Sequence, residues 1–203
     1  MPKAQRGIQN SLISLLSQKD LHSITVKDIC EEADVHRKTF YDYYQDKQDV
    51  YESLTLALLL QLCDFFVYEK GRDPSNDKRL SFYDDALAFT RFIDDNIDTV
   101  AVLLAPAYQD LWAPLLSKVV EGRQSALFIH ATRKHEVHDI PDRLLTDAIT
   151  SNLIVWTYWW LSQNEYSPEE GAEILERLAT RTMTTALRYP IHRTEDNEAK
   201  GTS

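Results

Sequence analysis

Apolar residues recur at intervals of three and four positions along almost the whole chain, and this spacing constrains the fold more than any other feature. Such spacing places apolar side chains on one face of a helix, whereas a half-buried strand alternates with period two. Only 5 of the 203 residues are glycine, so few positions interrupt the pattern. The sequence therefore predicts an all-α protein. The first apolar stripe consists of Ile8, Leu12, Leu15 and Leu16.

Capping residues and polar breaks divide this pattern into successive helices. Thr25 is followed three positions later by Asp28, which is the spacing of a capping box. Asp46, with Asp49 at the third position, predicts the start of a fourth helix in the same way. Ser167 and Pro168, followed by two acidic residues, predict the start of the last helix. The remaining helices are predicted at about Lys3–Ser17, Arg37–Tyr43, Leu80–Asp95, Ile97–Leu104, Tyr108–Ile129 and Pro141–Gln163, with the fourth ending near Tyr68 and the last near Tyr189.

Cysteine content and hydropathy indicate where such a protein works. The two cysteines, Cys30 and Cys63, are too few for a disulfide framework and favour a reducing compartment. Both lie on predicted apolar faces, so we expect buried and inert side chains. The longest apolar stretch, Leu56–Leu60, is far shorter than the ~20 residues of a membrane span. We therefore expect a cytoplasmic protein with no membrane segment.

Residues 24–54 predict two short helices joined by a tight turn and packed on a longer first helix, which describes a helix-turn-helix unit. The turn falls at Asp34 and Val35, and Asp tolerates the left-handed backbone that such turns often need. The DNA major groove admits one α-helix, and in this motif the second helix of the pair enters it. We expect Phe40 and Val35 to face inward. The side chains left for the outer face are His36, Arg37, Lys38, Thr39, Tyr41 and Tyr43.

The same segment resembles the N-terminal domain of the TetR family of bacterial transcription regulators. The match lies in Thr25-Val26-x-x-Ile29, Ala33-x-Val35 and Thr39-Phe40-Tyr41-x-Tyr43-Tyr44-x-x-Lys47. The resemblance implies that Thr25, Tyr41, Tyr43 and Lys47 hold phosphates, while Arg37, Lys38 and Thr39 face base edges and His36 stands at the helix entry. It places Tyr44 in the core. Arg can bind guanine in a forked geometry, and a Thr methyl can touch a thymine methyl.

The resemblance also implies a division of the chain. Residues 1–50 are expected to form the DNA-binding domain and residues 51–189 a helical regulatory and dimerisation domain. The polar tail 190–203 is expected to be disordered. Glu69–Lys78, which contains Gly71 and Pro74, is the clearest linker. The last two helices resemble the pair through which family members dimerise; the alternative is that they only close the core of a monomer.

The net charge of −10 at first argues against DNA, because phosphates repel an acidic protein. The charge is unevenly distributed, however. Residues 1–50 carry seven Lys+Arg and eight Asp+Glu, whereas the other 153 residues carry 15 and 24. The acidity therefore does not exclude DNA. It predicts weak non-specific binding, and a specific complex that is salt-sensitive or depends on neutral phosphate donors such as the Thr25 and Tyr41 hydroxyls.

Aromatic residues are abundant in the second region and are compatible with a ligand cavity between helices. Each is individually more typical of a core, so the core interpretation stays open. The candidate pocket residues are Phe89, Phe92, Tyr108, Trp112, Asn152 and Trp156.

Three hypotheses follow. The first is a homodimeric regulator, most simply a repressor, that binds a near-palindromic operator and responds to an unknown small-molecule effector. The second is a coactivator or protein-binding module of the same fold without an effector. The third is a metal protein or enzyme built on His130, His135 and His138 or on the acidic pairs. Because no catalytic motif or fourth metal ligand appears, we expect neither an enzyme, a metal site nor a cofactor.

Overall fold

The computed structural model of the chain describes residues 1–65, 82–132, 142–163 and 165–188. Every regular element in these ranges is a helix, which confirms the predicted all-α fold. Most helix ends lie within three residues of their predicted positions; the linker 69–78 and the tail 190–203 lie outside the described residues. The α-helices are α1 (Lys3–Leu16), α2 (Val26–Glu32), α3 (Arg37–Tyr41), α4 (Lys47–Asp64), α5 (Phe82–Asp95), α6 (Ile97–Leu103), α7 (Gln109–Thr132), α8 (Asp142–Ser162) and α9 (Pro168–Arg188).

Two short 3-10 helices complete the described elements. The first 3-10 helix, Leu21–Ser23, connects α1 to α2, and the second, Pro106–Tyr108, connects α6 to α7. No helix in the described part of the chain combines the length and apolarity needed to cross a bilayer.

The chain divides into two compact units whose bounds differ from a simple cut at residue 50. The first unit contains Met1–Phe66 together with Ala88–Gly122, and the second contains Val67–Leu87 together with Arg123–Ser203. The first unit thus joins the helix-turn-helix segment to α4, α6 and the beginning of α7. Parts of the chain that the sequence assigned to a regulatory domain are packed with the predicted DNA-binding domain.

The core of the first unit is built on α1, which packs against α2, α3, α4 and α6. Its predicted apolar stripe is buried, and Ile8 and Leu12 have no exposed surface. Burial of each such side chain contributes roughly 1.5–3 kcal/mol. Cys30 and Cys63 are both buried, as expected, and are not joined in a disulfide. The largest fully buried side chains of this core are Tyr51, Phe40, Phe89, Ile8, Leu12, Ile24, Ile29, Ile93, Leu103 and Val50.

The predicted helix caps are present. The Thr25 hydroxyl oxygen accepts from the Asp28 N–H at 3.2 Å, and the Asp28 carboxylate accepts from the Thr25 N–H at 2.9 Å. At α4 the Asp46 carboxylate accepts from two backbone N–H groups of the first turn, at 2.8 and 2.9 Å. Ser167 and Glu170 exchange equivalent bonds at the start of α9. Each cap satisfies donors that a helix start leaves free, and its loss costs about 1 kcal/mol.

The second unit is organised around the packing of α8 on α9. Trp156 and Trp160, one turn apart on α8, stack with ring centroids 5.2 Å apart and planes within 8°. Both side chains are buried. Gly171 on α9 lies directly against Trp160, and a Cβ placed there would overlap three atoms of the indole ring. The close approach of the two helices therefore requires glycine at position 171.

We predict that Gly171→Ala lowers the free energy of unfolding, although alanine normally favours a helix. The added methyl would push against a buried and stacked indole, and overpacking of this kind costs about 1–3 kcal/mol. Chemical denaturation followed by circular dichroism measures the change.

Gly7→Ala is the matched control. Its Cβ would lie 3.7 Å from the Ala33 carbonyl oxygen, an ordinary contact, so helix propensity should raise stability by up to about 1 kcal/mol. Equal effects of the two substitutions would contradict the proposed packing of α8 on α9.

Candidate nucleic-acid interface

The turn between α2 and α3 sets the angle between the two helices. Asp34 has a φ of 52°, which confirms the predicted left-handed residue. The Val35 N–H donates to the Cys30 carbonyl at 3.0 Å, and the Asp34 N–H donates to the Glu31 carbonyl at 3.3 Å. This pair of bonds is a Schellman motif, which satisfies the last carbonyls of a helix and turns the chain sharply. The third helix therefore leaves the turn in a fixed direction.

Helix α3 has only five residues, too few to be stable in isolation. Packing fixes it instead. Phe40 is fully buried, and Tyr44 just beyond the helix is nearly so. The Tyr44 hydroxyl accepts from the Gln9 side-chain amide of α1 at 2.9 Å. Because Phe40 faces the core, the opposite side of α3 faces outward, as the sequence predicted.

Most of the predicted contact residues lie on the surface. His36, Arg37 and Lys38 are exposed, as are Tyr41 and Tyr43. Tyr41 is 58% exposed although its ring packs edge-on against Phe40, with centroids 5.4 Å apart. Thr39 is half-buried. Helix α3 ends at Tyr41, two residues earlier than predicted, so Tyr43 belongs to the following turn.

A surface depression with a volume of about 560 Å³ lies where the end of α2 meets the start of α3. Lys27 of α2, one of the cations of the first domain expected to lie toward DNA, contributes to it. Its ammonium lies 3.5 Å from the Glu31 carboxylate, and both groups are exposed, so this ion pair holds it weakly. Its charge was the only sequence signal for this position. The surface is lined by Lys27, Cys30, Glu31, Asp34, Val35, His36 and Arg37.

Lys47, predicted to bind a phosphate, makes internal contacts here. Its ammonium donates to the carbonyl oxygens of Leu21, His22 and Ile24 at 2.7, 3.0 and 2.6 Å. A lysine ammonium has three N–H donors, so all three are used. Contact with a phosphate would require Lys47 to release one of these carbonyls.

Thr25 stands at the end of the segment that Lys47 holds. Its hydroxyl oxygen accepts from Asp28, which leaves the hydroxyl hydrogen for an external acceptor such as a phosphate. The Asp28 carboxylate also forms an ion pair with Lys19 at 2.9 Å. The Lys19 hydrogen bond, followed by that from the Thr25 N–H, lowers the pKa of Asp28 from 3.8 to about 2.

The six candidate pocket residues fall in both compact units. Phe89, Tyr108 and Trp112 are buried in the first unit, and Phe92 is half-buried there. The Trp112 N–H donates to the Ala105 carbonyl at 3.2 Å. In the second unit Trp156 is buried, and half-buried Asn152 donates to the Ala148 carbonyl of its own helix at 2.9 Å. A single pocket formed by these residues stays a prediction.

The histidine hypothesis concerns residues that are mostly not described. His135 and His138 lie outside the described ranges, as does the side chain of His130. Among the residues that the structure does describe, no group of three His, Cys, Asp or Glu side chains is placed to hold a metal ion.

A tight turn between two short helices, the second of them exposed and basic, is the arrangement of a helix-turn-helix unit. The sequence model of the bacterial regulatory proteins of the tetR family matches residues 11–54. This segment of the chain is similar to members of that family.

Known proteins resemble the chain beyond this domain. It is 29% identical over 151 residues to the HTH-type transcriptional regulator YxbF of Bacillus subtilis, an alignment that covers 64% of this chain and 39% of that relative. A TetR regulator from Streptococcus agalactiae has a TM-score of 0.62 at 24% identity, covering 89% of this chain and 93% of its own. The fatty acid degradation regulator FadR of Bacillus halodurans has a TM-score of 0.62 at 16% identity, covering 88% and 95%. These two structures share the fold of this chain.

We predict that Lys19→Met raises the pKa of Asp28 toward its ordinary value, since it removes the largest cause of the lowering. A depressed carboxyl pKa contributes stability that is present above 3.8 and lost as the pH falls toward 2. The variant should lack most of this contribution, because the folded and unfolded pKa of Asp28 would then be similar. NMR titration of the Asp28 carboxyl carbon measures the pKa.

Lys27→Met is the control. It removes a nearby cation outside this contact and should leave the pKa of Asp28 unchanged. An unchanged Asp28 pKa in Lys19→Met would contradict the ion pair.

Proposed function

We propose that this chain is a transcription regulator that binds a near-palindromic DNA operator as a homodimer in the cytoplasm and acts as a repressor. The observation that carries the proposal is the orientation of α3. Buried Phe40 leaves Arg37, Lys38 and Tyr41 exposed on a short helix that follows a tight turn. A helix presented in this way fits the major groove.

The proposed roles follow from the chemistry of each side chain. Arg37 and Lys38 donate to base edges, as Arg and Lys commonly do to guanine. Thr39, half-buried, offers its methyl group at the edge of the same face. Tyr41 and Tyr43 donate their hydroxyls to phosphates, which fixes the register without reading sequence.

Neutral phosphate donors suit the charge of this protein. Residues 1–50 are close to electrically neutral, and the rest of the chain is strongly acidic. A binding surface that relies on hydroxyls releases fewer counterions than one built from lysines. We therefore propose a specific complex with a small number of ionic contacts.

The outward face of α8 supports a homodimer. Leu144 and Val155, eleven residues apart, lie on one face of the helix and are 60% and 67% exposed. Buried Trp156 and Trp160 lie on a different face, and Trp160 packs against Gly171 of α9. Leu178 of α9 is 48% exposed. Exposed apolar residues that share one face of a helix favour a contact surface. A two-fold dimer would present two α3 helices to half-sites ~34–36 Å apart.

Control by a small molecule is the final part of the proposal. The abundance of buried aromatic side chains supports it, among them Phe89, Trp112 and Trp156. An effector would change DNA binding only through its difference in affinity between the two states of the dimer.

We predict that Arg37→Ala combined with Tyr41→Phe weakens binding to DNA from upstream of the chain's own gene. Loss of one forked base contact costs about 1–3 kcal/mol, so we expect a loss of about tenfold or more. Electrophoretic mobility shift at fixed salt concentration measures the affinity.

The matched control is Arg177→Ala combined with Tyr166→Phe. These residues are exposed on the second unit, and Arg177 pairs with Glu173 on its own helix, at 3.3 Å. The control should bind like the wild type. Unchanged binding by the Arg37 and Tyr41 variant would show that the site is assigned wrongly.

We predict that Val155→Asp shifts the homodimer toward monomer, since a charge at this exposed apolar position would be buried in the interface. Sedimentation velocity over a range of concentrations measures the equilibrium. Leu56→Asp replaces an exposed apolar residue of the first unit and should leave the dimer intact. A Val155→Asp variant that remains dimeric at low concentration would contradict the α8 interface.

A further inference from the structure

The segment between α1 and α2 is held from two directions. From α4, the Lys47 ammonium contacts three of its carbonyl oxygens, those of Leu21, His22 and Ile24. From the second 3-10 helix, the Tyr108 hydroxyl accepts the Leu21 N–H at 2.9 Å. Leu21 is thus fixed at both its N–H and its carbonyl oxygen.

The bond between Leu21 and Tyr108 is buried and joins groups 87 positions apart in the chain. Tyr108 itself is held firmly: its ring packs edge-on against Tyr51, with centroids 5.7 Å apart. The Tyr51 hydroxyl in turn donates to the Leu103 carbonyl at 2.6 Å. The acceptor for Leu21 therefore stands on a rigid support built from α4, α6 and the second 3-10 helix.

Only three residues separate Leu21 from Thr25, whose exposed hydroxyl is a proposed phosphate donor. Ile24 is fully buried, and its carbonyl is also bound by Lys47. A buried N–H that loses its acceptor is costly, so the backbone would shift or admit water to satisfy it. Any such shift at Leu21 is passed to Thr25 through a segment too short to absorb it.

We propose that Tyr108 is a positioning residue for DNA binding, acting through the Leu21 N–H to place the Thr25 hydroxyl. The inference rests on the proposed function, since Thr25 contacts DNA only if the chain binds it. Tyr108 itself does not contact DNA in the proposed complex. Its hydroxyl, contributed by a part of the chain far from the helix-turn-helix segment, sets the geometry of a contact residue.

The test is a double-variant cycle with Tyr108→Phe and Thr25→Ala in the full chain. Tyr108→Phe keeps the ring and removes the acceptor. We expect about a tenfold loss of operator affinity with an unchanged salt slope, because the Thr25 hydroxyl is a neutral phosphate donor. Thr25→Ala should show the same loss. The double variant should be little weaker than either single variant, because both remove one contact.

Two further variants separate positioning from general stability. Tyr51→Phe makes the same chemical change on the neighbouring ring but leaves the Leu21 acceptor in place, so its operator affinity should match that of the wild type. Thr25→Ser keeps a hydroxyl and should restore most of the binding lost in Thr25→Ala.

Hydrogen exchange on the wild-type chain provides a measurement that needs no variant. Coupling between two sites is reciprocal, so DNA should slow exchange of the Leu21 amide. An unchanged Leu21 exchange rate, fully additive losses in the cycle, or a loss of operator affinity in Tyr51→Phe equal to that in Tyr108→Phe would each overturn the inference. A wild-type chain that does not bind DNA would instead overturn the proposed function.

Discussion

Burial of Phe40 is the interaction on which the proposed binding surface depends. A helix of five residues has little stability of its own. Burial of Phe40 in the core therefore stabilises α3 and fixes its position. The left-handed backbone at Asp34 delivers the chain to that position, and the Tyr44 contact with Gln9 holds the far end. The direction of Arg37 and Tyr41 follows from these three restraints.

The charge distribution complements this geometry. A protein of net charge −10 gains little from long-range attraction to DNA. Short-range contacts must therefore provide the affinity, and they require side chains held in fixed positions. Lys47 is an example of such a restraint. The sequence predicted that its ammonium binds a phosphate, and in the structure the ammonium holds the backbone of the segment that leads to Thr25.

Local interactions account for what the sequence predicted correctly. The caps at Thr25 and Asp46, the left-handed Asp34 and the buried Phe40 each depend on residues within a few positions of one another. The Leu21–Tyr108 bond and the contact of Gly171 with Trp160 depend on tertiary approach. A single sequence does not indicate such contacts, because the two residues are far apart in the chain and each could pack against many other residues. For the same reason a single sequence does not indicate that residues 88–122 pack with the first unit.

The most direct test of the central claim, that the outer face of α3 reads DNA, is selection from a random pool of DNA duplexes by this chain. The account predicts enrichment of a near-palindromic sequence whose half-sites lie about one helical turn, roughly 10 bp, or a multiple of it apart. Recovery of a pool with no sequence preference would contradict it.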